Sequence, residues 1–177
     1  MEEKYLNIKI KLKRNNEIKL IEYKYKKRTH DERPMALDVL LKAQEEHYDD
    51  LAFRYGCRAR NCGVCTIDVN DRPKLACRAR VRQGDILSAI ATLPVIKDLV
   101  VKRDEIARQM KGYNNISKKN DLNKDADKLY HNLTACIECY ACLDGCPVHA
   151  KNNIVDIQKN DAYTYGNPYS FLKIQRL

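Results

Sequence analysis

The chain has 177 residues, enough for two small domains, and 44% of them are hydrophobic although there is no tryptophan. No apolar leader follows Met1, and no run of about 18 apolar residues is present to span a membrane. Eight cysteines without an export signal therefore favour metal ligands in a reducing cytoplasm over the disulfides of a secreted domain.

The net charge of +9 first suggests a nucleic-acid partner, but the distribution of the charge argues against one. Between positions 54 and 82 there are two acidic residues and eight basic ones: Arg54, Arg58, Arg60, Arg72, Lys74, Arg78, Arg80 and Arg82. This basic group surrounds a set of cysteines, and no groove of alternating aromatic and basic residues is apparent. We expect the group to stabilise a negatively charged metal cluster or to steer an acidic partner protein.

The first part of the chain predicts a hairpin and a helix. Apolar residues alternate with polar ones from Leu6 to Leu12, and a second strand is expected from Ile18 to Tyr25. A helix is predicted from Met35 to Glu46, with Pro34 in its first turn.

Further strands are predicted after a charged loop. They run from Val64 to Val69 and from Asp85 to Ala91, with a four-residue turn at 70–73 after the first. The order of hairpin, helix, loop and strands predicts a β-grasp domain over residues 1–98, in a chain of the α+β class.

The character of the sequence changes after position 98. Helices are predicted from Leu99 to Lys111, from Asp121 to Leu133 and from Asn152 to Lys159. We therefore expect a small, all-α domain over residues 99–177.

Two cysteine groups account for every thiol in the chain. The first has the spacing x4, x2 and x11, which is typical of a [2Fe–2S] cluster: Cys57, Cys62, Cys65 and Cys77. Gly56 and Gly63 would let backbone N–H groups approach the sulfurs. A structural zinc site is the alternative, but it usually needs two Cys-x2-Cys pairs and this group has one.

The second group has the spacing x2, x2 and x3 before Pro147, which is typical of a [4Fe–4S] ferredoxin cluster: Cys136, Cys139, Cys142 and Cys146. Its first three cysteines are expected on a tight helical turn. In such patterns the cysteine before proline normally points to a different cluster.

These motifs resemble the iron–sulfur subunit of succinate dehydrogenase and fumarate reductase, including the archaeal thiol-dependent fumarate reductase. The similar stretches cover the cysteine loop, the link between the two domains and the start of the second group. They are Leu51–Arg58, Asn61–Cys65, Leu75–Cys77, Pro94–Val101 and Cys136–Cys139.

The resemblance implies an electron relay that binds no substrate itself. A flavoprotein subunit would exchange electron pairs with succinate or fumarate, and this chain would pass them singly to a quinone or thiol site. Cys57, Cys62, Cys65 and Cys77 would hold the [2Fe–2S] cluster, and Cys136, Cys139 and Cys142 the [4Fe–4S] cluster. The implied location is the cytoplasm, with any attachment to a membrane made through partners.

One departure from the family pattern concerns the last ligand of the [4Fe–4S] cluster, because no cysteine follows Cys146. Cys146 could turn back to complete the cluster, a water or His149 could do so, or another polypeptide could supply the missing cysteines. We expect the third arrangement and a surface position for His149. Two other functions stay open: a free ferredoxin-like carrier and a nucleic-acid-binding protein with a structural cluster.

Overall fold

The computed structural model describes residues 4–15, 17–104, 132, 135–146, 149, 168 and 172. The described strands are β1 (Tyr5–Arg14), β2 (Glu17–Lys26), β3 (Thr66–Val69), β4 (Arg72–Leu75), β5 (Ile86–Ser88), β6 (Val95–Lys97) and β7 (Val100–Val101). The described helices are α1 (Ala36–Glu46) and a short 3₁₀-helix (Ala141–Leu143).

The first five strands form a mixed sheet in the order β2-β1-β5-β3-β4. Strand β5 runs parallel to β1, with Lys9 opposite Ile86, and the other neighbouring strands are antiparallel. Helix α1 buries Val39 and Leu40 in one core with Ile10 and Leu87 from the central strands. A mixed sheet that carries one long helix among the described residues is consistent with the predicted β-grasp domain.

Helix α1 begins one residue later than predicted, and Pro34 lies outside it. Met35 is extended and pairs with Arg80 as an isolated antiparallel bridge. The carbonyl oxygen of Pro34 accepts a hydrogen bond of 3.0 Å from the N–H of Val81. Strand-like pairing with this neighbouring segment therefore keeps the residues before Ala36 out of the helix.

The predicted turn at 70–73 is wrong in its length. Asn70 and Asp71 alone make the turn, with φ values of 52° and 57°, and the chain then enters β4. Strand β4 lies at the edge of the sheet, where Pro73 can be accommodated although it has no N–H to donate. A short strand that contains proline gave little signal in the sequence.

The predicted helix does not start at Leu99, because β6 and β7 form a hairpin whose turn contains Asp98 and Leu99. The predicted domain boundary after Asp98 falls in this turn. The N–H of Asp98 donates to the carbonyl of Lys13 at 2.8 Å, and this contact ties the hairpin to β1. Asp104 is helical.

The rest of that predicted helix lies outside the described residues. So do the helix predicted over 152–159 and, apart from Asn132, the helix predicted over 121–133. Within the described portion of the chain, no helix is long and apolar enough to cross a lipid bilayer.

Candidate metal centres

The loop that begins the first cysteine group is exposed over residues 54–61 and follows an irregular path. Arg58 and Arg60 have φ values of 55° and 65°, and these left-handed turns direct backbone N–H groups inward. The N–H groups of Ala59 and Asn61 donate to the sulfur of Cys57 at 3.3 and 3.2 Å. These two hydrogen bonds lower the pKa of the Cys57 thiol to about 7, so the loop favours a thiolate at this position.

The four thiols of the first group lie in two pairs. The thiol of Cys57 is hydrogen-bonded to that of Cys62, and the thiol of Cys65 to that of Cys77, while Cys62 also lies within electrostatic range of Cys65. Cys65 precedes β3 and Cys77 follows β4, so the β3–β4 hairpin brings them together. Both are buried, and burial raises the pKa of Cys65 to about 11.

Two pairs of thiols suit a two-iron centre, in which each iron takes two thiolates. Gly56 lies close to this pair of thiols: a Cβ there would lie 3.3 Å from the sulfur of Cys62, a tight contact that the glycine avoids. All eight cysteines are free thiols. Within the part of the chain that is described, no three His, Cys, Asp or Glu side chains are grouped so as to hold a single metal ion.

Gly63 has a role in packing besides the one predicted. Its φ is +61°, and a Cβ there would lie 2.1 Å from the carbonyl oxygen of Ile137 and 2.9 Å from the nitrogen of Cys139. The nearest neighbours of Gly63 are therefore backbone atoms of the second cysteine group. The two cysteine groups pack directly against each other at this glycine.

The second cysteine group is less helical than predicted. Cys142 lies in the 3₁₀-helix, but Cys136 and Cys139 lie in irregular chain before it. Glu138 and Tyr140 have φ values of 56° and 61°, which are incompatible with a right-handed helical turn.

The thiols of this group nevertheless lie within electrostatic reach of one another. Although Cys142 is an exposed residue, desolvation of its sulfur and the nearby thiols of Cys139, Cys136 and Cys146 raise its pKa. The other three thiols of the second group are thus within electrostatic range of Cys142, although no three of these described thiols are grouped closely enough to hold a single metal ion.

The expectation of a surface histidine at position 149 is wrong. His149 is 3% exposed, and its Nε2 donates to the carbonyl oxygen of Thr92, 3.0 Å away. The neighbouring apolar cluster combines Ile90, Leu93 and Val101 with Tyr140 and Leu143. The second cysteine group is thus packed on the segment that follows β5.

The cations of the predicted basic group differ in their surroundings. Arg58 lies on the exposed loop, with its guanidinium 5.4 Å from the centre of the Tyr55 ring. Arg80 instead donates to the carbonyl of Arg33 at 2.9 Å. Arg72 lies at the end of β4 that is farther from Cys77.

One residue of the site, Arg103, was missed. Its Nη2 donates to the carbonyl oxygen of Gly63 at 3.2 Å and to that of Glu138. The sequence carried no usable signal, because Arg103 is one of several cations in a stretch that was predicted to be helical.

The fold and the paired thiols together define a β-grasp protein of the iron–sulfur class. Residues 7–108 match the family described as the 2Fe-2S iron-sulfur cluster binding domain, and the chain belongs to that family. The sequence is 36% identical to a subunit of the fumarate reductase (CoM/CoB) of Methanothermobacter marburgensis over 66% of this chain and 25% of that protein. It is 34% identical to the mitochondrial succinate dehydrogenase [ubiquinone] iron-sulfur subunit 1 of rice (Oryza sativa subsp. japonica), over 70% of this chain and 48% of that protein.

The fumarate reductase iron-sulfur subunit of Escherichia coli is 29% identical over 70% of this chain and 55% of that protein. The chain thus spans between about a quarter and about half of these relatives. The fold is similar to that of a chain of the Mycobacterium smegmatis Sdh1 complex in the apo form, with a TM-score of 0.75 and 23% identity, over 97% of this chain and 73% of that chain. The resemblance to succinate dehydrogenase and fumarate reductase iron–sulfur subunits is confirmed.

Proposed function

We propose that this chain is the electron-transfer iron–sulfur subunit of a flavin-linked complex of the succinate dehydrogenase/fumarate reductase type. It relays single electrons between a flavoprotein partner and a quinone or thiol site. The observation that carries the proposal is the direct packing of the two cysteine groups at Gly63. Two redox centres held this close in one chain suit a relay, and the partner handles the dicarboxylate.

In this proposal the first cysteine group holds a [2Fe–2S] cluster through Cys57, Cys62, Cys65 and Cys77. The second holds a [4Fe–4S] cluster through Cys136, Cys139 and Cys142, and the fourth ligand comes from another polypeptide or, as the alternative, from Cys146. When bound, such clusters accept and release one electron at a time. The protein contributes the thiolates, the hydrogen bonds to them and the exclusion of water on one side.

The ligands of the proposed [2Fe–2S] cluster lie in two different environments, one at the surface of the protein and one in its core. Hydrogen bonds from Ala59 and Asn61 stabilise negative charge on Cys57 at the surface, while Cys65 and Cys77 lie in the core. The surface end would meet the electron donor or acceptor of a partner. The buried end fixes the position of the centre relative to the sheet.

The exposed loop also offers charge for docking. Arg54, Arg58 and Arg60 are exposed around Cys57 and would attract an acidic surface on the flavoprotein. Because these cations are open to solvent, their attraction should weaken as the salt concentration rises.

The test starts from anaerobically reconstituted protein, which should contain about six irons and six sulfides per chain if both clusters form. Cys62→Ser should remove the two-iron EPR signal of the reduced protein and leave the cubane signal. Cys139→Ser, the matched variant in the other group, should do the reverse.

The partner is tested separately by purifying the chain anaerobically from its native source. A co-purifying flavoprotein that reduces the clusters with succinate, or oxidises them with fumarate, supports the relay. A fully loaded chain without any such partner would favour a free ferredoxin-like carrier, and zinc in place of iron would overturn both functions.

A further inference from the structure

A single side chain joins the two cysteine groups. Arg103 lies two residues after β7, is half-buried, and donates from its Nη2 to the carbonyl oxygens of Gly63 and Glu138. Gly63 directly follows Cys62, and Glu138 directly precedes Cys139. The guanidinium is therefore bonded, on each side, to a residue adjacent to a predicted cluster ligand.

An aromatic ring holds this guanidinium in place. Its central carbon is 4.7 Å from the centre of the Tyr140 ring, and Tyr140 is 5% exposed. Arg103 also lines one cleft of about 360 Å³ together with Cys62 and Cys136, one cysteine from each group. A planar guanidinium can stack on a ring while it donates to two carbonyls, and a lysine ammonium cannot reproduce that arrangement.

The charge of Arg103 is placed differently from that of the other nearby cations. Arg58 and Arg60 are exposed, so salt screens them, whereas Arg103 is half-buried between the two groups. A cluster gains one negative charge when it is reduced. A fixed cation in a poorly solvated position favours the reduced form and raises the potential.

Resting on the proposed relay function, we infer that Arg103 is a positioning residue that fixes the separation of the two clusters and raises both of their potentials. In the transfer that it supports, one centre loses an electron as the other gains it, so the step needs no further reactant. The Arg103 side chain does not carry the electron. It holds the Gly63 and Glu138 backbones together and supplies a positive charge to both sides.

The experiment compares Arg103→Gln and Arg103→Lys with the wild-type chain, each reconstituted anaerobically. EPR-monitored titration gives the midpoint potential of each cluster, and the magnetic interaction between the two reduced clusters reports their separation. Arg103→Gln should make both potentials more negative and weaken the interaction. Arg103→Lys should keep the potentials close to wild type, because the positive charge remains. It should weaken the magnetic interaction between the clusters, because the pair of hydrogen bonds to the two carbonyls is lost.

The matched control is Arg80→Gln. Arg80 also donates to one backbone carbonyl, that of Arg33, and neither residue belongs to a cysteine group. This variant should leave the magnetic interaction between the two clusters as in the wild type, because it removes a charge without breaking a bond between the two cysteine groups.

The outcomes separate this inference from the function on which it rests. Wild-type protein that takes up only one cluster, even when it is purified with its native partners, would overturn the relay and the inference together. Two loaded clusters with unchanged potentials and interaction in both Arg103 variants would overturn the inference alone. Loss of both clusters in Arg103→Gln and in Arg103→Lys would assign Arg103 a purely structural role and would also overturn it.

Discussion

Arg14 forms a bidentate ion pair, with two hydrogen bonds, to Asp98, whose side chain is fully buried. The Nε of Arg14 donates to Oδ1 of Asp98 at 2.7 Å, and Nη2 donates to Oδ2 at 2.9 Å. The N–H of Ala52 donates to the same carboxylate at 3.0 Å, and Arg14 also bonds Asp50. The pair therefore connects the end of β1, the start of the cysteine loop and the β6–β7 turn.

Replacing Asp98 with asparagine should destabilise the protein by about 1–3 kcal/mol, because a buried charge-assisted pair loses its negative partner. Asparagine also tolerates the φ of 50° at this position, so the substitution tests the charge rather than the backbone. The free energy of unfolding from anaerobic denaturant titration is the measurement.

Asp50→Asn is the control for the Asp98 variant. Asp50 contacts the same arginine, and that contact lowers its pKa, but its side chain is half exposed. Its loss should therefore matter less than the loss of Asp98. Equal effects of the two substitutions would contradict the view that the buried carboxylate organises this junction.

The stability of the protein should fall at alkaline pH because of two buried tyrosines on β2. Tyr25 is 2% exposed, and burial together with its hydrogen bond to Glu32 raises its pKa to about 12. Burial and a bond of 2.6 Å to Glu46 likewise raise the pKa of Tyr23. Since the folded state holds these protons more tightly, their contribution is complete below about pH 10 and is lost as the pH rises towards 12.

The measurement is the free energy of unfolding at a series of pH values above neutrality. The double variant Tyr23→Phe and Tyr25→Phe should be less stable at neutral pH, since two hydrogen bonds are gone, but its stability should decline less between about pH 10 and 12. An identical decline in both proteins would mean that other groups dominate the alkaline loss.

The sequence allowed the long elements to be predicted because their periodicities are complete. Apolar and polar residues alternate along β1 and along the second half of β2, and α1 repeats its apolar face over three turns. Strands β4, β6 and β7 have two to four residues, too few for a period to appear, and they exist because neighbouring strands pair with them.

The same limit applies to the candidate site. Cysteine spacing predicted which thiols belong to each group, since the ligands within a group are close in the sequence. The contact of Gly63 with Ile137 and the bonds of Arg103 depend on how two distant segments pack. Local pattern holds no information about such packing, and for the same reason the buried position of His149 was missed.

The exposed cations Arg58 and Arg60 should affect the reduction potential of the proposed [2Fe–2S] cluster. Changing both to glutamine should make the potential of the proposed [2Fe–2S] cluster more negative and weaken the association with the proposed flavoprotein partner. Both effects should shrink at high salt, because the two guanidinium groups are exposed. EPR-monitored titration and binding measurements at two ionic strengths provide the readout.

Arg72→Gln is the control for the arginine pair. It removes one positive charge, against two in the double variant, at the end of β4 farther from Cys77, and it should leave the potential and the salt dependence of binding unchanged. If the double variant behaves like this control, Arg58 and Arg60 merely face solvent.

Gly63→Ala should separate the two cysteine groups. The new methyl group would lie 2.1 Å from the carbonyl oxygen of Ile137, which is backbone, so one of the two loops has to move. The φ of +61° adds a second cost for any residue with a Cβ. We expect a loss of about 2–4 kcal/mol in the free energy of unfolding and a weaker magnetic interaction between the two reduced clusters.

Gly84→Ala is the control that measures how much free energy of unfolding is lost through the left-handed backbone conformation alone. Gly84 also has a left-handed φ, +80°, but a Cβ there has no atom within 4 Å. This variant should lose only about 1 kcal/mol and keep the magnetic interaction, because the cost comes from the conformation alone. Equal losses for the two variants, with the interaction intact in both, would show that contact at Gly63 does not hold the cysteine groups together.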